Sequence, residues 1–255
     1  FSRLGDRGAE GPGDAAACAR VAEAVPDADA NAVETAGREK RLLIADMDST
    51  IISVECIDEI ADFAGVGDEV AGITEAAMRG ELDFEGALRA RVALLEGLEV
   101  SKLEDVWRER GRLNPGAEAA VRTMAARGAV TALVSGGFTF FAEKVAAAAG
   151  FGFAQANGLE EAGGRLTGRP TSPILGREAK REALERLCAE AGIAARDALA
   201  VGDGANDLAM VEAAGLGVAY RAKPALAEKA DARLERSDLT ALLFLQGIPE
   251  RDFAR

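Results

Sequence analysis

The stretch "LLIADMDST", Leu42 to Thr50, opens as an unbroken apolar run and ends on two carboxylates, Asp46 and Asp48, with one residue between them. A short continuous run of this kind predicts a strand covered on both faces, as in a parallel sheet. Taken alone, its polar end reads equally well as a solvated turn, where Asp, Ser and Thr are common because they hydrogen-bond the nearby backbone. The remainder of the chain decides between a turn and a site.

Three further runs have the same character: "AVTALVS" (129–135), "DALAVGDG" (197–204) and "GLGVAY" (215–220). Helical patterns over 116–127, 138–149 and 177–191 lie among them. Strand and helix in alternation predict an α/β fold, a Rossmann-like doubly wound parallel sheet with right-handed crossovers. Such sheets bind ligands at the carboxyl ends of their strands. That is where Asp46, Asp48, Ser135 and Asp203 collect. Between the first two runs lies a helical insert over 54–111, too long for a simple crossover. Its stretch "DFEGALRARVALLEGL" puts Phe84, Leu88, Arg91 and Leu95 on one helical face. "NGLEEAGGRLTG" (157–168) has the turn chemistry of a hairpin. Residues 1–39 read as a tail or the remnant of a larger region, with one helix over Ala15–Val25. The core is expected over 40–53 and 112–255.

Composition narrows the chemistry. The 255 residues are 49% hydrophobic and 29% charged, with a net charge of −13. That balance argues against a nucleic-acid binder or a protein held on anionic lipid. No run approaches the roughly 18 apolar residues needed to span a bilayer. The opening "FSRLGDRGAEGPGD" has no signal-peptide pattern and, lacking a Met, is expected to be a trimmed start. The three cysteines form no CxxC pair, so a zinc ribbon, a thioredoxin-type site and a disulfide framework find no support, and a reducing cytoplasm is expected. Histidine is absent from the sequence, which removes imidazole bases, Ser–His–Asp catalysis and HExxH zinc chemistry.

The run "VGDGANDLAM" (201–210) sets Asp203 and Asp207 around two glycines and Asn206 directly after a strand. With Asp46 and Asp48 at another strand end, two pairs of carboxylates converge on one face. So much negative charge calls for a hard divalent cation, and oxygen-only ligands favour Mg²⁺. In "VSGGFT" (134–139) Ser135, Gly136 and Gly137 precede a helix, a place where hydroxyl and N–H groups can face an anion. Lys180, in the first turns of the 177–191 helix, offers a positive charge. A carboxylate, a metal, an anion cradle and a lysine together suit phosphoryl transfer to a carboxylate nucleophile.

In this order the motifs DxDxT, strand-end Ser, Lys and GDxxxD resemble the haloacid-dehalogenase superfamily. Within it the chain is similar to the phosphoserine phosphatase family from about Lys40 onward, through "ADMDSTII", "ECIDEIADFAG", "AMRGELDF", "RVALLEGL", "LVSGGFT", "PILGREAK" and "VGDGANDLAM". The resemblance implies Asp46 as the nucleophile that becomes an aspartyl-phosphate. It implies Asp48 as the acid for the leaving seryl oxygen and then the base for water. Mg²⁺ would be held by Asp46, the Asp48 carbonyl oxygen and Asp203, with Asp207 arranging a metal-bound water. Ser135, Gly136 and Lys180 would hold the phosphoryl group, and Asn206 would reach the substrate. Glu55 and Arg91 would read the ammonium and carboxylate of O-phospho-L-serine, with Met78 and Phe84 shielding the pocket and 54–111 acting as a cap.

The implied activity is Mg-dependent hydrolysis of phosphoserine, the last step of L-serine biosynthesis, in the cytoplasm. The alternative is another small phosphate ester, such as phosphohomoserine, or transfer to an alcohol. A non-catalytic binding protein on the same fold is disfavoured by the intact Asp46, Asp48, Lys180 and Asp203. An ion pump using similar motifs is excluded by the lack of membrane spans. Residues 1–39 are too short for the regulatory domain of many bacterial relatives, and Arg221 stands where some relatives have His.

Overall fold

A computed structural model describes residues 2–254. Short pairing of β1 (Ser2–Arg3) with β2 (Ala9–Glu10) and helix α1 (Ala15–Ala24) precede the main sheet. That sheet uses β3 (Leu42–Ala45), β4 (Val130–Phe138), β5 (Phe153–Asn157), β8 (Ala198–Gly202), β9 (Leu216–Tyr220) and β10 (Ala232–Leu234), in the order β10-β9-β8-β3-β4-β5. Every pairing is parallel. The four apolar runs of the sequence are β3, β4, β8 and β9, and β3, β8 and β9 are buried along their whole length. β5 and β10, the two edge strands, carry weaker apolar signals.

β3 lies between β4 and β8, with Ala45 opposite both Leu133 and Val201. The chain builds β4 and β5 on one side of β3 and β8, β9 and β10 on the other. The carboxyl end of β3 is therefore the switch point of the sheet, the position where such folds open a crevice. Leu43 and Ala45 face one core with α6 (Ala117–Ala126) and α7 (Thr139–Ala149). Leu42 and Ile44 face the other with α8 (Arg177–Ala191) and α9 (Leu208–Ala213). Two short helices, α10 (Pro224–Ala227) and α11 (Ala241–Leu245), close the C-terminal part.

The insert between β3 and β4 holds α2 (Cys56–Ala64), α3 (Gly67–Met78), α4 (Phe84–Ala93) and α5 (Ser101–Arg110). Asp83 caps α4, its Oδ1 accepting from the Gly86 N–H at 2.7 Å. Of the face read from sequence, Leu88 and Leu95 are buried, Phe84 is half-buried against the core and Arg91 is half-buried. The insert joins the core through two antiparallel linkers. Ile52 pairs with Leu113, and the Ser53 N–H donates to the Arg112 carbonyl at 3.3 Å. A second attachment comes from the hairpin β6 (Leu159–Ala162) and β7 (Arg165–Pro170). The Gly97 N–H donates to Leu166 O (2.8 Å), Leu166 N–H to Leu98 O (2.9 Å) and Val100 N–H to Gly164 O (3.0 Å).

The N-terminal segment lies along the opposite edge. α1 is capped by Asp14 and buries none of its residues. Asp29 accepts from the N–H groups of Glu235, Arg236 and Ser237, beyond β10. Asn31 holds Arg233 of β10 from both sides of its amide, Nδ2 donating to the carbonyl (2.9 Å) and Oδ1 accepting from the N–H (2.8 Å). Among the described residues, no helix is long and apolar enough to cross a membrane.

Candidate active site

The site is built at the carboxyl ends of β3, β4 and β8. Asp46 follows β3 and stays in the sheet's ladder, its N–H donating to the Val201 carbonyl at 3.0 Å. The next residues, 47–51, form a tight turn closed by the Ile52 N–H on the Met47 carbonyl. Ser49 takes φ +58° there, a left-handed value uncommon outside glycine. This turn points Asp46 and Asp48 into the same crevice. Both are buried.

Lys180, buried in the first turn of α8, bridges two carboxylates. Its Nζ lies 2.6 Å from Asp46 Oδ1 and 2.5 Å from Asp207 Oδ1. Asp207 uses its other oxygen to hold the turn after β8, accepting from the N–H groups of Asp203 (3.1 Å) and Gly204 (3.0 Å). Gly202 is required there, because a Cβ would run into the Asp207 carboxylate. Thr50 Oγ1 donates to Asp203 Oδ1 at 3.4 Å, tying the β3 turn to the β8 turn.

Asp48 faces the β4 side. Its Oδ1 accepts from the Cys56 N–H at the start of α2 (2.9 Å) and its Oδ2 from Ser135 Oγ (3.3 Å). Ser135 Oγ in turn accepts from the Gly137 N–H at 2.9 Å. Asn157, which the sequence reading passed over, fixes the Gly136 end of β4. Its Nδ2 donates to the Gly136 carbonyl (2.9 Å), and its Oδ1 accepts from the Leu175 N–H (2.7 Å).

Burial sets the charge state of this cluster. Burial and the charge of Asp207 push Asp46 well above the usual carboxylate range, against the pull of Lys180. Burial and the nearby Glu55 raise Asp48 to about 6, with the Cys56 and Ser135 hydrogen bonds opposing. Asp203 is also raised to about 6, by burial, Asp207 and Glu55. Burial works against the ammonium of Lys180, but Asp46 and Asp207 more than offset it and hold the lysine above its ordinary value. Carboxylate oxygens of Asp46, Asp203 and Asp207 all lie within 4.8 Å of one another. Three buried carboxylates against one ammonium leave a surplus of negative charge, and a hard divalent cation fits an all-oxygen donor set of that kind.

The remaining residues marked from sequence lie around the mouth. Asn206 is half-buried in the turn between Asp203 and Asp207. Glu55 is exposed at the entry to α2, where its Oε1 accepts from Ser49 Oγ at 2.7 Å. Arg91 is half-buried on α4, with no ion pair among the described residues and only a 3.3 Å bond from its Nε to the Ala87 carbonyl. Burial lowers its pKa while Asp58 and Glu55 counteract, so carboxylates of α2 sit close by. Phe84 lies over Gly136, its Cζ 3.1 Å from where a Cβ would be. Met78 does not join it: the residue is 78% exposed, at the C-terminal end of α3. Shielding by Met78 thus requires a different placement of the α3–α4 segment.

Asp46, Asp48, Ser135 and Asp203 thus stand together at the strand ends, and the chain as a whole is similar to known proteins. The haloacid dehalogenase-like hydrolase family model matches residues 43–212. A phosphoserine phosphatase of Polaromonas sp. (strain JS666) is 49% identical over 210 residues, covering 80% of this chain and 89% of that relative. One of Streptomyces coelicolor is 48% identical over 215 residues, and there the chain spans about half (52%) of the relative's length. Among solved structures, a phospho-aspartyl intermediate analogue of phosphoserine phosphatase superposes with a TM-score of 0.74 at 44% identity, covering 80% of this chain and 98% of that one. A probable phosphoserine phosphatase from Vibrio cholerae, in unliganded form, gives 0.80 at 38% identity, covering 92% and 72%. With its buried Asp46–Lys180–Asp207 cluster at the switch point of a parallel sheet, the chain belongs to the haloacid dehalogenase-like hydrolase family, among its phosphoserine phosphatases.

Proposed function

We propose that this chain hydrolyses O-phospho-L-serine to L-serine and phosphate through an aspartyl-phosphate on Asp46, with Mg²⁺ as cofactor. The observation that carries the reading is the pair of buried carboxylates on one turn with different partners. Asp46 is ion-paired to Lys180, which favours its charged form, whereas Asp48 is held only by the neutral Cys56 N–H and Ser135 hydroxyl donors. Environment divides the two roles, as it does wherever one carboxylate must attack and another must donate a proton.

In the first step a carboxylate oxygen of Asp46 attacks phosphorus as the bond to the seryl oxygen breaks. Protonated Asp48 passes its proton to that oxygen, so serine leaves neutral at the hydroxyl. In the second step Asp48, now a carboxylate, takes a proton from water. The water oxygen bonds to phosphorus, the Asp46–phosphorus bond breaks, and phosphate leaves with Asp46 restored. Lys180 and Ser135 face the phosphoryl oxygens, with Gly136 beside them. Mg²⁺, held by Asp46, Asp203 and the Asp48 carbonyl oxygen, with Asp207 acting through water, would neutralise charge on the phosphoryl group. Glu55 and Arg91 face the amino-acid part, one anion for the ammonium and one cation for the carboxylate. Residues 54–111 serve as the cap over this pocket, 40–53 and 112–255 as the catalytic core, and 1–39 as an appended segment. The three cysteines are free, which suits a reducing cytoplasm and the serine-making role proposed here.

The test is phosphate release from a panel of monoesters, phosphoserine, phosphothreonine, phosphohomoserine and sugar phosphates, with Mg²⁺ and with EDTA. Phosphoserine is expected to lead, EDTA to stop turnover, and Asp46→Asn to abolish it. Preference for phosphohomoserine would transfer the assignment to that ester. Undiminished turnover by Asp46→Asn would remove the nucleophile.

A further inference from the structure

Asn114 carries none of the sequence motifs, yet one residue holds three consecutive carbonyls of the turn after Asp48. Its backbone N–H donates to the Ile51 carbonyl at 2.8 Å. Its side-chain Nδ2 donates to the carbonyls of Thr50 (2.8 Å) and Ile52 (3.2 Å). The residue is 6% exposed, so water has little access to replace these donors.

The turn needs support from outside. Ser49 sits at a left-handed φ without being glycine, a conformation that costs of order 1–3 kcal/mol unless its surroundings fix it. The same few residues orient much of the site. Asp48 belongs to the turn, the Ser49 hydroxyl holds Glu55, and the Thr50 hydroxyl reaches Asp203. Asn114 is itself well anchored, at the point where the chain returns from the insert to the core. The Pro115 carbonyl accepts from the Leu239 N–H at 3.0 Å. Gly116, at φ +82°, packs so closely on that segment that a Cβ would lie 2.5 Å from the Thr240 nitrogen. The return linker is thus a fixed post, and Asn114 is the arm that reaches from it to the turn.

We propose that Asn114 is a positioning residue for the reaction: it fixes the 48–52 turn so that Asp48 meets the leaving oxygen and Glu55 meets the ammonium. The inference rests on the phosphoserine phosphatase reading above. A turn freed of its two side-chain bonds keeps Asp46, which is held separately by the Val201 carbonyl and Lys180. What it loses is chiefly the aim of Asp48 and Glu55, with a smaller loss, common to all substrates, through the Thr50–Asp203 bond and the Asp48 carbonyl. Loss should therefore fall on a substrate that needs both a proton for its leaving group and a partner for its ammonium. p-Nitrophenyl phosphate needs neither, since p-nitrophenolate leaves without protonation.

The experiment compares kcat/KM for phosphoserine and p-nitrophenyl phosphate in the full chain with Mg²⁺, for wild type, Asn114→Ala and Asn114→Ser. This parameter covers the steps up to departure of the leaving group, so the shared hydrolysis of the aspartyl-phosphate does not enter. A misplaced group of this kind costs up to about 10²-fold. Asn114→Ala should lose about 10- to 100-fold on phosphoserine and several-fold less than that on p-nitrophenyl phosphate, with Asn114→Ser, which keeps one donor, in between. A residue that only stabilised the fold would lower the active fraction and so reduce both substrates alike. Equal losses, or no loss on phosphoserine, would overturn the proposal. Should Asn114→Ala fail to fold, the same ratio measured on Asn114→Ser decides. Wild-type turnover of phosphoserine tests the parent reading separately, because only the ratio between variants bears on Asn114.

Discussion

Gly137→Ala is a one-carbon change whose effect can be worked out from the packing around Asp48. A Cβ at Gly137 would stand 2.6 Å from Asp48 Oδ2, 3.1 Å from Met47 Cε and 3.1 Å from Ser135 Oγ. Gly137 is not among the glycines with positive φ, so the backbone accepts alanine and the whole effect is steric. Met47 is fully buried and cannot retreat far. The Asp48 carboxylate must give way by about 0.8 Å, from 2.6 Å to the 3.4 Å at which ordinary contact begins. Its 3.3 Å bond from Ser135 is already long and would be lost. Displacing a positioned catalytic group by about 1 Å can cost ~10²-fold, and general acid–base help as a whole is worth ~10²–10⁴-fold. We therefore expect kcat/KM for phosphoserine to fall by about 10²-fold, equivalent to ~2.7 kcal/mol of transition-state stabilisation. Overpacking should destabilise the fold by ~1–3 kcal/mol, which thermal unfolding will register. Phosphate release and an unfolding curve on one preparation provide both readouts. A variant with kcat/KM within about threefold of wild type would refute the geometry assigned to Asp48.

Two further outcomes are expected. Glu55→Ala and Arg91→Ala should each lower kcat/KM for phosphoserine by roughly 10²-fold or more and spare p-nitrophenyl phosphate, since charge-assisted pairs in a water-poor site are the strong kind; equal losses on both substrates would remove the amino-acid recognition. The metal-free protein should become more stable as the pH is lowered from 7 to about 5. Asp48 and Asp203 hold protons up to about 6, and Asp46 is raised as well, whereas the unfolded chain releases them near the ordinary 3.8. More protons bound in the folded state mean stability lost as pH rises through that window. Asp29 and Glu39, which are lowered, act only at more acid pH. Excess Mg²⁺ should flatten the slope by taking the place of the protons, and a metal-free melting temperature that falls between pH 7 and 5 would contradict the assignment.

The sheet was legible wherever a strand is buried on both faces, because burial on both sides demands an unbroken apolar run. β3, β8 and β9 therefore stood out, and so did the glycine-rich hairpin of β6 and β7. β10 has only three residues, one of them Arg233, and β5 is half-covered along most of its length, so neither carries that signature. The charged members of the site were legible because Asp46, Asp48 and Asp203 stand at strand ends and Lys180 opens a helix that follows them in motif order. Asn114 and Asn157 escaped for the opposite reason. Each works by bonding backbone carbonyls or N–H groups far away in sequence, and the only local hint at Asn114 is the Asn-Pro-Gly break that ends the insert. Nor does a resemblance in sequence fix how the last turn of a helix is oriented: Met78, taken as a pocket residue from the family resemblance, stands in solvent at the end of α3.

One asparagine of the N-terminal segment alters how this sheet meets other molecules. Parallel pairing turns the N–H and C=O of Arg233 away from β9, leaving them as the open edge of β10. Such a row of unpaired groups is a template on which another chain can add a strand, the route to edge-to-edge aggregation. Asn31 fills it with a side-chain amide that donates and accepts as a neighbouring strand's peptide would, but offers no further edge beyond itself. Asp29, with its charge held against the N–H groups that follow β10, extends the blockade past the end of the strand. The segment thus terminates the sheet without lengthening it, through residues that lie outside both the core and the catalytic crevice.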